Sequence, residues 1–467
     1  KLRLFLKLVA TVDVDYKKQN LGLEPLPDID FNIRAGNTLV GFAKLEEVEK
    51  AVKGSFDATF LKKEINAIRE QTEMVKMAYG HFKDSQMLID SPAMSGAKKD
   101  LEERLRRLND KLNIYLAQLY GVEVERKLKD FEKWNATHQP FHWFAEFYGI
   151  IHDKGGFDVI IGNPPYVEYS KVKKTYSIQG YHTESCGNLY AYVMERSKTL
   201  LSLKGYLGMI MPVSIGSTPR MLPLRQYLTD KTEYVYYSNF ADRPSCLFNG
   251  VHQILSICII QKGHNANPLL LSTGFMHWLK EERDILFENL FYVQSNHEII
   301  DGTWGKFSVP KELNILHKIK SNKKAITSYL LSHGKLLAIS GGTGGYWLRA
   351  FDEEQESNEY KKAYVNDKDT QVSLCAVINS STFYWLWRKY SDCRHLTKND
   401  IGKFTFVINQ KHSKELIDAG SLQLRSLKDT KEVRLGKMTY EQYRPNKTKP
   451  IIDEIDKGIS PALRFHR

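Results

Sequence analysis

The chain has 467 residues, with 67 Lys and Arg against 55 Asp and Glu, which gives a formal net charge of +12. This length allows roughly two to three domains, and the basic balance favours a polyanionic partner such as nucleic acid, although many basic proteins have none. The five cysteines are scattered without a CxxC pair, which predicts reduced cytoplasmic thiols and argues against disulfides or a cysteine zinc site. No apolar run of about 18 residues predicts a membrane span, and no signal peptide is recognisable.

The first predicted elements are short. Residues 1–16 have the pattern of a helix, and residues 17–30 form a loop rich in Gly, Pro and Asp. A short strand is predicted to begin at Phe31, and Gly36 and Asn37 follow it. A Gly-Asn pair is most often found in a turn, so the residues alone predict a turn at Asn37.

Residues 43–134 have apolar residues at helical spacing, with charged residues on the other faces. The recurring positions are Leu61, Ile65, Ile68 and Val75, then Leu101, Leu105, Leu108, Leu112 and Leu119. The pattern predicts two or three long amphipathic helices packed on each other, which we interpret as an insertion. Their basic residues Arg104, Arg106 and Arg107 are predicted to lie on a solvated face, with DNA contact as the alternative.

Residues 139–147 return to an aromatic pattern typical of a sheet. His138 and His142 are four residues apart, as in some metal-binding helices. Pro140 between them argues against a continuous helix, and therefore against a metal site there.

Residues 157–169, FDVIIGNPPYVEY, combine an apolar run with an abrupt stop. The β-branched run predicts a buried, parallel strand. The two prolines cannot continue it, so a stiff extended turn follows. In open α/β sheets, ligands bind at the carboxyl ends of the strands, and this turn lies at such an end.

The turn suits chemistry on a planar aromatic amine, whose lone pair is delocalised into its ring. The Asn163 side-chain oxygen and the Pro164 carbonyl can accept hydrogen bonds from the two amine hydrogens and draw the nitrogen toward a tetrahedral shape. Tyr166 can stack on the ring, as aromatic residues do with extruded bases. The alternative is a plain Asn-Pro-Pro turn, which the strand before it and the aromatic residue after it make less favoured.

After a polar loop over residues 170–187, the chain alternates between helices and strands. Helices are predicted over residues 189–203 and 221–228, and strands over 206–211, 232–238 and 254–261. This order predicts a mostly parallel sheet with an antiparallel edge.

From about residue 264 no catalytic constellation is recognisable. Residues 340–345, SGGTGG, lack the Lys-Ser/Thr ending of a phosphate-binding loop, so we predict a turn there. A helix is predicted over residues 311–320. Residues 382–394 form an aromatic block that ends in cations and is adequately explained by core packing.

The motif GNPPY after FDVII resembles the catalytic motif of S-adenosylmethionine-dependent amino-methyltransferases. It is most similar to adenine-N6 DNA methyltransferases of type II restriction–modification systems, of the large single-chain (type IIG-like) kind. Residues 27–39 and 188–212 resemble, in the same order, the segment that reaches the cofactor's adenine and the helix and strand after the motif. The resemblance covers most of residues 1–263 and, more loosely, the C-terminal half.

The resemblance implies roles for individual residues. Asn163, Pro164 and Pro165 belong to the catalytic motif, and Tyr166 stacks on the target base. Phe248 matches the position of a second stacking aromatic residue, although a hydrophobic plug under its loop is an equal alternative. Asn37 matches the acceptor for the amino group of the cofactor's adenine. No metal is implied, because the sulfonium of S-adenosyl-L-methionine is itself the electrophile.

The implied fold is α/β: a Rossmann-like methyltransferase core truncated at its N-terminus, with a helical insertion and a C-terminal α/β target-recognition domain. The expected boundaries are 1–42 and 139–263 for the core, 43–138 for the insertion, 264–412 for recognition and 413–467 for a C-terminal helical segment. The family's Gly-rich cofactor loop is not found and is expected before residue 1, where a nuclease can also be fused. This piece alone is therefore expected to be inactive.

The implied function is methyl transfer to N6 of an adenine flipped out of double-stranded DNA, in a bacterial restriction–modification or related phage-defence system. Three alternatives stay open. The same motif serves protein glutamine N5-methyltransferases, cytosine-N4 methylation uses the same chemistry, and a non-catalytic DNA-binding remnant fits a chain without the cofactor loop.

Overall fold

The computed structural model describes residues 2–18, 21, 31–53, 58–85, 92–124, 127–296, 299–342, 347–408, 410–429, 432–434, 440–443 and 445–462. The chain divides into two compact units, Lys1–Leu207 and Gly208–Arg467. Both units contain helices and strands, and the largest sheet is mixed, so the prediction of an α/β protein is confirmed. Among the helices of the described residues, none is both long and apolar enough to cross a membrane.

The first unit consists mostly of helices. Its elements are α1 (Leu2–Val9), α2 (Leu45–Lys53), α3 (Ala58–Ser85), α4 (Pro92–Leu119), α5 (Leu128–His138), α6 (Trp143–Glu146), a π-helical turn (Gly149–Asp153), β1 (Phe157–Gly162), α7 (Tyr169–Val172), a 3₁₀ turn (Glu184–Cys186), α8 (Leu189–Leu200) and β2 (Leu201–Pro212). The boundary between the units falls within β2.

The predicted long helices are present, and the apolar positions of α3 and α4 form their shared core. Ile68, Leu101, Leu108 and Leu112 are fully buried. The arginines of α4 pair with acids one turn away on their own helix: Arg104 with Asp100 at 2.8 Å, Arg106 with Asp110 at 3.6 Å, and Arg107 with Glu103. Their charges are thus partly compensated within the helix, which agrees with the predicted solvated face.

Two short strand-like predictions in this unit are wrong. Phe31 begins a turn instead of a strand, and its ring lies against Phe82 of α3, with the ring centroids 4.8 Å apart. Residues 139–147 contain the helix α6, with one isolated bridge between Asn37 and Pro140. In both segments aromatic residues pack against the helices, and their spacing alone cannot distinguish that packing from a sheet. Residues 27–30 lie outside the described residues.

The strand β1 is present where predicted, but the prediction that it is buried is wrong. Val159 and Ile161 are 60% and 80% exposed. In the strand order β1 stands at the end, beside β2. A strand at the edge of a sheet lacks a neighbour on one side, and an apolar run does not reveal this position.

The helix α8 ends three residues before its predicted end, because β2 already begins at Leu201. Gly205 therefore lies inside a strand and does not end the helix. A Cβ atom at Gly205 would stand 2.8 Å from the carbonyl oxygen of Phe157 in β1. Glycine is used here because the two strand backbones approach closely.

The second unit contains two larger sheets and a helical core. Its elements are α9 (Ser214–Ser217), α10 (Leu222–Thr229), β3 (Thr232–Phe240), β4 (Leu255–Lys262), β5 (Leu269–Met276), β6 (Val293–Gln294), α11 (Lys311–Ser321), β7 (Lys335–Ser340), β8 (Ala350–Phe351), β9 (Tyr360–Val365), α12 (Lys368–Ile378), α13 (Ser381–Tyr390), α14 (Lys398–Gly402), α15 (Gln410–Asp429), β10 (Glu432–Arg434), β11 (Tyr440–Gln442) and α16 (Lys449–Ala462), with 3₁₀ turns at Pro219–Met221, Lys280–Ile285, Ile326–Tyr329 and Pro445–Thr448.

The first sheet of this unit is mixed. Its order continues from β2 through β4, β3 and β5 to β6. β3 is antiparallel to β4 and parallel to β5, while β5 is antiparallel to β6. The sequence had predicted antiparallel pairing only at the edge of the sheet. That prediction is wrong, because the antiparallel pair of β3 and β4 lies in the interior of the strand order.

The second sheet, in the order β8-β7-β9, is antiparallel and lies against the buried helix α12. Asn379, at the end of α12, accepts from the N–H groups of Arg349 and Ala350 at 2.7 and 2.9 Å through its Oδ1. Its Nδ2 donates to the Ala350 carbonyl at 2.8 Å. This side chain thus forms hydrogen bonds with the backbone groups on the outer edge of β8, as a further strand would.

Buried lysines lie at the carboxyl end of α13. Lys306 Nζ donates to the Ser391 carbonyl at 2.7 Å, and Lys403 Nζ donates to the Tyr390 carbonyl at 3.2 Å. Cations there satisfy carbonyls that the helix leaves unpaired and complement its dipole. Lys306 is fully buried, and burial lowers the pKa of its ammonium group to about 8.

This lowered pKa predicts a rise in stability with pH. Between pH 8 and the ordinary lysine value of about 10.4 the unfolded chain binds the proton that the folded chain has released, so folding gains up to about 1.4 kcal/mol per pH unit. Lys306→Met is expected to lose this gain. Urea unfolding at pH 7.5–9.5 measures it, with Lys311→Met as the exposed control. Equal pH slopes for wild type and Lys306→Met would contradict the assignment.

Candidate functional site

The predicted catalytic motif directly follows β1. Pro164 is buried, Asn163 and Pro165 are exposed, and Tyr166 is partly buried. The Tyr166 hydroxyl donates a hydrogen bond to Asn163 Oδ1 at 2.7 Å. This contact joins Asn163 and Tyr166, the first and last residues of the NPPY motif, through the amide oxygen of Asn163.

The Tyr166 ring packs edge-on against Tyr190 in the first turn of α8, with centroids 6.5 Å apart and planes at 86°. Tyr190 is 1% exposed and forms a fixed support. Burial raises the pKa of Tyr166 to about 12, so its hydroxyl stays protonated at neutral pH and remains a donor to Asn163.

The chain after the motif is attached to the beginning of α8. Leu189 N–H donates to the Val167 carbonyl at 2.9 Å, and Tyr169 N–H donates to the Gly187 carbonyl at 2.8 Å. These backbone bonds, one on each side of Glu168, hold the residues that follow the motif beside the first turn of α8.

Asn188 strengthens this attachment with both ends of its side chain. Its Nδ2 donates to Glu168 Oε1 at 3.0 Å, and its Oδ1 accepts from Tyr190 N–H at 3.3 Å as the N-cap of α8. Sequence reasoning missed this role, although an Asn directly before an apolar helix is a recognisable N-cap signal.

Asn37 lies in a turn, as its residues predicted. Its N–H donates to the Gln139 carbonyl at 2.8 Å, and its Oδ1 accepts from Leu39 N–H at 3.2 Å. An amide oxygen has two acceptor positions, so Asn37 can accept one further hydrogen bond.

The segment around Asn37 lies near the chain that follows the motif. Leu39 packs in a cluster with Tyr181 and Leu189, and Val167 and Tyr169 pack against the same cluster. The Tyr181 hydroxyl donates to the Leu39 carbonyl at 2.8 Å. The structure therefore packs Leu39, two residues after Asn37, against residues that directly follow the motif.

An open cavity of about 340 Å³ lies next to Asn37. Its lining consists of Ala35, Gly36, Asn113, Asn135, Gln139 and Pro140. Three of these side chains are amides, which can donate and accept hydrogen bonds to a polar ring. No sequence pattern pointed to these amides, because Asn113 lies on α4 whereas Asn135 and Gln139 lie on α5 and at its end.

His142 holds Asn113, one of the residues that line this cavity. Its Nδ1 accepts from Phe42 N–H at 3.2 Å, its Nε2 donates to Asn113 Oδ1 at 3.0 Å, and its ring stacks on Phe42. Burial, reinforced by the charge of Arg196, lowers the pKa of His142 to about 3. His138 instead lies on α5, where its Nε2 accepts from Ser177 N–H at 3.1 Å. The described residues contain no group of three or more His, Cys, Asp or Glu placed to bind a metal.

Phe248 belongs to the second unit, in the loop between β3 and β4, and is partly exposed. The residue before it, Leu247, packs against Phe240, Trp278 and Leu286. Leu247 therefore supplies the hydrophobic plug that the sequence left as the alternative role for Phe248.

Ser340 is the last residue of β7, and Gly341 and Gly342 follow it directly. Gly341 N–H donates to the Glu359 carbonyl at 3.0 Å, and Gly342 N–H donates to Ser340 Oγ at 3.3 Å. Two amides that a phosphate would require are thus already used. Residues 343–345 lie outside the described residues.

Comparison with known proteins agrees with the resemblance. The sequence model of the Eco57I restriction-modification methylase family matches residues 1–245, just over half of the chain. RM.MjaORFECS2P of Methanocaldococcus jannaschii, provisionally assigned as a type II restriction enzyme and methyltransferase, is 28% identical over 373 residues, which cover 71% of this chain. The chain spans about 30% of the length of that relative.

Two solved structures are similar at low identity. The type IIL restriction-modification enzyme MmeI, solved in complex with DNA, is 11% identical, with a TM-score of 0.39 over 77% of this chain and 61% of that one. A nuclease-deletion mutant of the type ISP enzyme LlaGI, solved with a DNA substrate mimic, is 11% identical, with a TM-score of 0.36 over 60% of this chain and 43% of that one.

The neutral His142 predicts sensitivity to acid. Below about pH 6.5 the unfolded chain binds a proton that the folded chain cannot bind until about pH 3, so folding loses up to about 1.4 kcal/mol per pH unit. His142→Phe is expected to lower stability at pH 7, because it leaves Phe42 N–H and Asn113 Oδ1 without partners, but to flatten its fall between pH 6.5 and 5. Urea unfolding measures both, with the exposed His81→Phe as control. An unchanged slope in His142→Phe would show that other groups cause the acid sensitivity.

Proposed function

Because the chain belongs to the Eco57I restriction-modification methylase family, we propose that it acts in methylation of the N6 amine of an adenine flipped out of double-stranded DNA. The proposed setting is a restriction–modification or related phage-defence system in the cytoplasm. The observation that carries the proposal is the closed Asn163–Tyr166 motif directly after β1.

The proposed roles follow from the acceptors of the motif. Asn163 Oδ1 and the Pro164 carbonyl accept the two hydrogens of the target amine, which localises its lone pair on nitrogen. Asn163 and Pro164 would thereby present the amine nitrogen as the nucleophile toward the methyl group that the cofactor supplies, and the proton that the methylated amine releases would pass to water. Such acceptors lower the barrier because they are already aligned before the reaction.

The ring of Tyr166 is proposed to stack on the extruded adenine. Its edge-on contact with the buried Tyr190 and its hydrogen bond to Asn163 hold the ring in place, and a ring that is already held loses little conformational freedom when a base stacks on it. Phe248 is proposed as the second stacking residue, since Leu247 already supplies the packing under its loop.

S-adenosyl-L-methionine is proposed as the cofactor and would supply an electrophilic methyl group. The residues present fit its adenine end: Asn37 Oδ1 has an unused acceptor position, and the neighbouring cavity is lined by Asn113, Asn135 and Gln139. Asn37 would accept from the purine amine, and the amides would bind the remaining polar edge.

Residues 264–412 are proposed to recognise the DNA sequence. The net charge of +12 supports binding to a polyanion. The aromatic block 382–394 would then act as the rigid base of that region, because most of its side chains pack in the core of the second unit.

Asn163→Ala tests the proposed function in the full-length protein. It removes an acceptor that is used most strongly as the amine becomes tetrahedral, so single-turnover methyl transfer is expected to fall by about 100-fold with DNA affinity nearly unchanged. Asn66→Ala, at an exposed asparagine of α3 in the same unit, is the matched control.

The substrates in that assay are duplexes with or without adenine and a protein with an accessible glutamine. Transfer to adenine-containing duplexes alone is the expected result. Transfer only to the protein, or only to duplex cytosine, would replace the proposed substrate, and near-normal turnover of Asn163→Ala would remove Asn163 from the mechanism.

Tyr166 variants separate the two contributions of this residue. Tyr166→Phe keeps the ring but loses the hydrogen bond to Asn163, worth about 1 kcal/mol, so a loss of roughly fivefold in rate is expected with normal base extrusion. Tyr166→Ala also loses stacking, worth about 1–3 kcal/mol, and should weaken extrusion. Fluorescence of 2-aminopurine at the target position reports extrusion. Equal signals from both variants would mean that the ring does not stack on the base.

A further inference from the structure

The loop between β3 and β4, residues 241–254, is attached to a distant part of the second unit through Arg394. Arg394 Nη2 lies 2.7 Å from Asp242 Oδ2 and donates to the His252 carbonyl at 3.1 Å. Asp242 stands at the beginning of the loop and His252 near its end. One guanidinium group therefore closes the base of the loop that carries Phe248.

A second arginine of the same block reaches the loop through a histidine. Arg388 Nη2 donates to the Phe275 carbonyl at 3.3 Å and contacts His277 Nε2 at 3.0 Å. His277 Nδ1 lies 2.8 Å from the Arg243 carbonyl. Since a carbonyl only accepts, Nδ1 carries the proton and Nε2 accepts from Arg388.

The tip of the loop is attached separately. Arg283 donates to the Leu247 carbonyl at 3.1 Å and to the Cys246 carbonyl at 2.8 Å, while its guanidinium lies 4.9 Å from the centre of the Trp278 ring. Val251 N–H donates to the Phe248 carbonyl at 3.0 Å. With its tip and base both attached, the loop can change the position of Phe248 only if these contacts change.

The segment that carries Arg394 is itself fixed. Lys306 and Lys403 bind the carbonyls of Ser391 and Tyr390, and Asp392 Oδ1 accepts from Arg394 N–H at 2.8 Å. The segment between the aromatic helix α13 and Arg394 is therefore held by hydrogen bonds at three consecutive residues, 390–392.

We propose that Arg394 is a positioning residue that couples the recognition region to the Phe248 loop. The coupling rests on the proposed function, in which residues 264–412 contact DNA and Phe248 stacks on the flipped base. Contacts with the correct DNA sequence would fix the position of the aromatic block, and Arg394 would then fix the position of the Phe248 loop. The Arg394 and Asp242 side chains are 42% and 16% exposed, and a pair of that kind contributes little to global stability, so the variants are expected to fold.

Hydrogen exchange tests the coupling without DNA. In the full-length protein, Arg394→Gln is expected to speed exchange of the Val251 and Gln253 amides, whose hydrogen bonds lie within the loop, by about 10-fold or more. Asp242→Asn should speed exchange less, because the hydrogen bond from Arg394 to the His252 carbonyl remains. The double variant should be no faster than Arg394→Gln, which already removes both contacts. Lys362→Gln is the matched control, since it removes one cation whose partner is Glu354.

Base extrusion and methyl transfer provide the second readout. Arg394→Gln is expected to lower 2-aminopurine fluorescence and single-turnover methyl transfer by about 10-fold while DNA affinity changes by less than about threefold, and Arg394→Lys should partly restore both. Unchanged exchange of the loop amides, additive effects in the double variant, or a loss of affinity as large as the loss of rate would overturn the proposal. A wild-type protein that transfers no methyl group to DNA would instead contradict the proposed function, and hydrogen exchange would still decide whether Arg394 orders the loop.

Discussion

The hydrogen bond from the Tyr166 hydroxyl to Asn163 Oδ1 is the contact on which the candidate site depends. Two consecutive prolines contribute no N–H groups, so the backbone of the motif cannot be fixed by ordinary ladder bonds. The side-chain bond from the Tyr166 hydroxyl closes the motif instead. An acceptor fixed before substrate arrives is what catalysis by positioning requires.

Part of this site could be predicted from the sequence, because the signals were local. An apolar run followed by Asn-Pro-Pro fixes the end of a strand, and the structure ends β1 at Gly162. Burial of β1 could not be predicted in the same way. Whether Val159 and Ile161 are covered depends on which strands lie beside them, and partners distant in the chain leave no mark on a six-residue pattern.

The residues that sequence reasoning missed act over long separations. Glu195 of α8 is 5% exposed, and its carboxylate accepts from His182 N–H at 3.0 Å and from Thr183 N–H at 2.9 Å. Arg196 donates to the Tyr181 hydroxyl at 2.9 Å and to the Gly41 carbonyl at 3.2 Å. Neither residue interrupts the helical pattern of α8, so each would be assigned to a solvated face without the structure. Only Asn188 carried a recognisable signal.

The two units solve the same physical problem in the same way. A loop that presents an amide or an aromatic ring to a ligand cannot be stabilised by burying that group, because the group must stay accessible. The attachment must come from the flanking backbone, whose carbonyl and N–H groups need charged or polar partners when they are removed from water. Glu195 and Arg196 supply such partners in the first unit, and Arg283 and Arg394 supply them in the second. Buried or half-buried charged side chains therefore hold the backbone of these segments in both units.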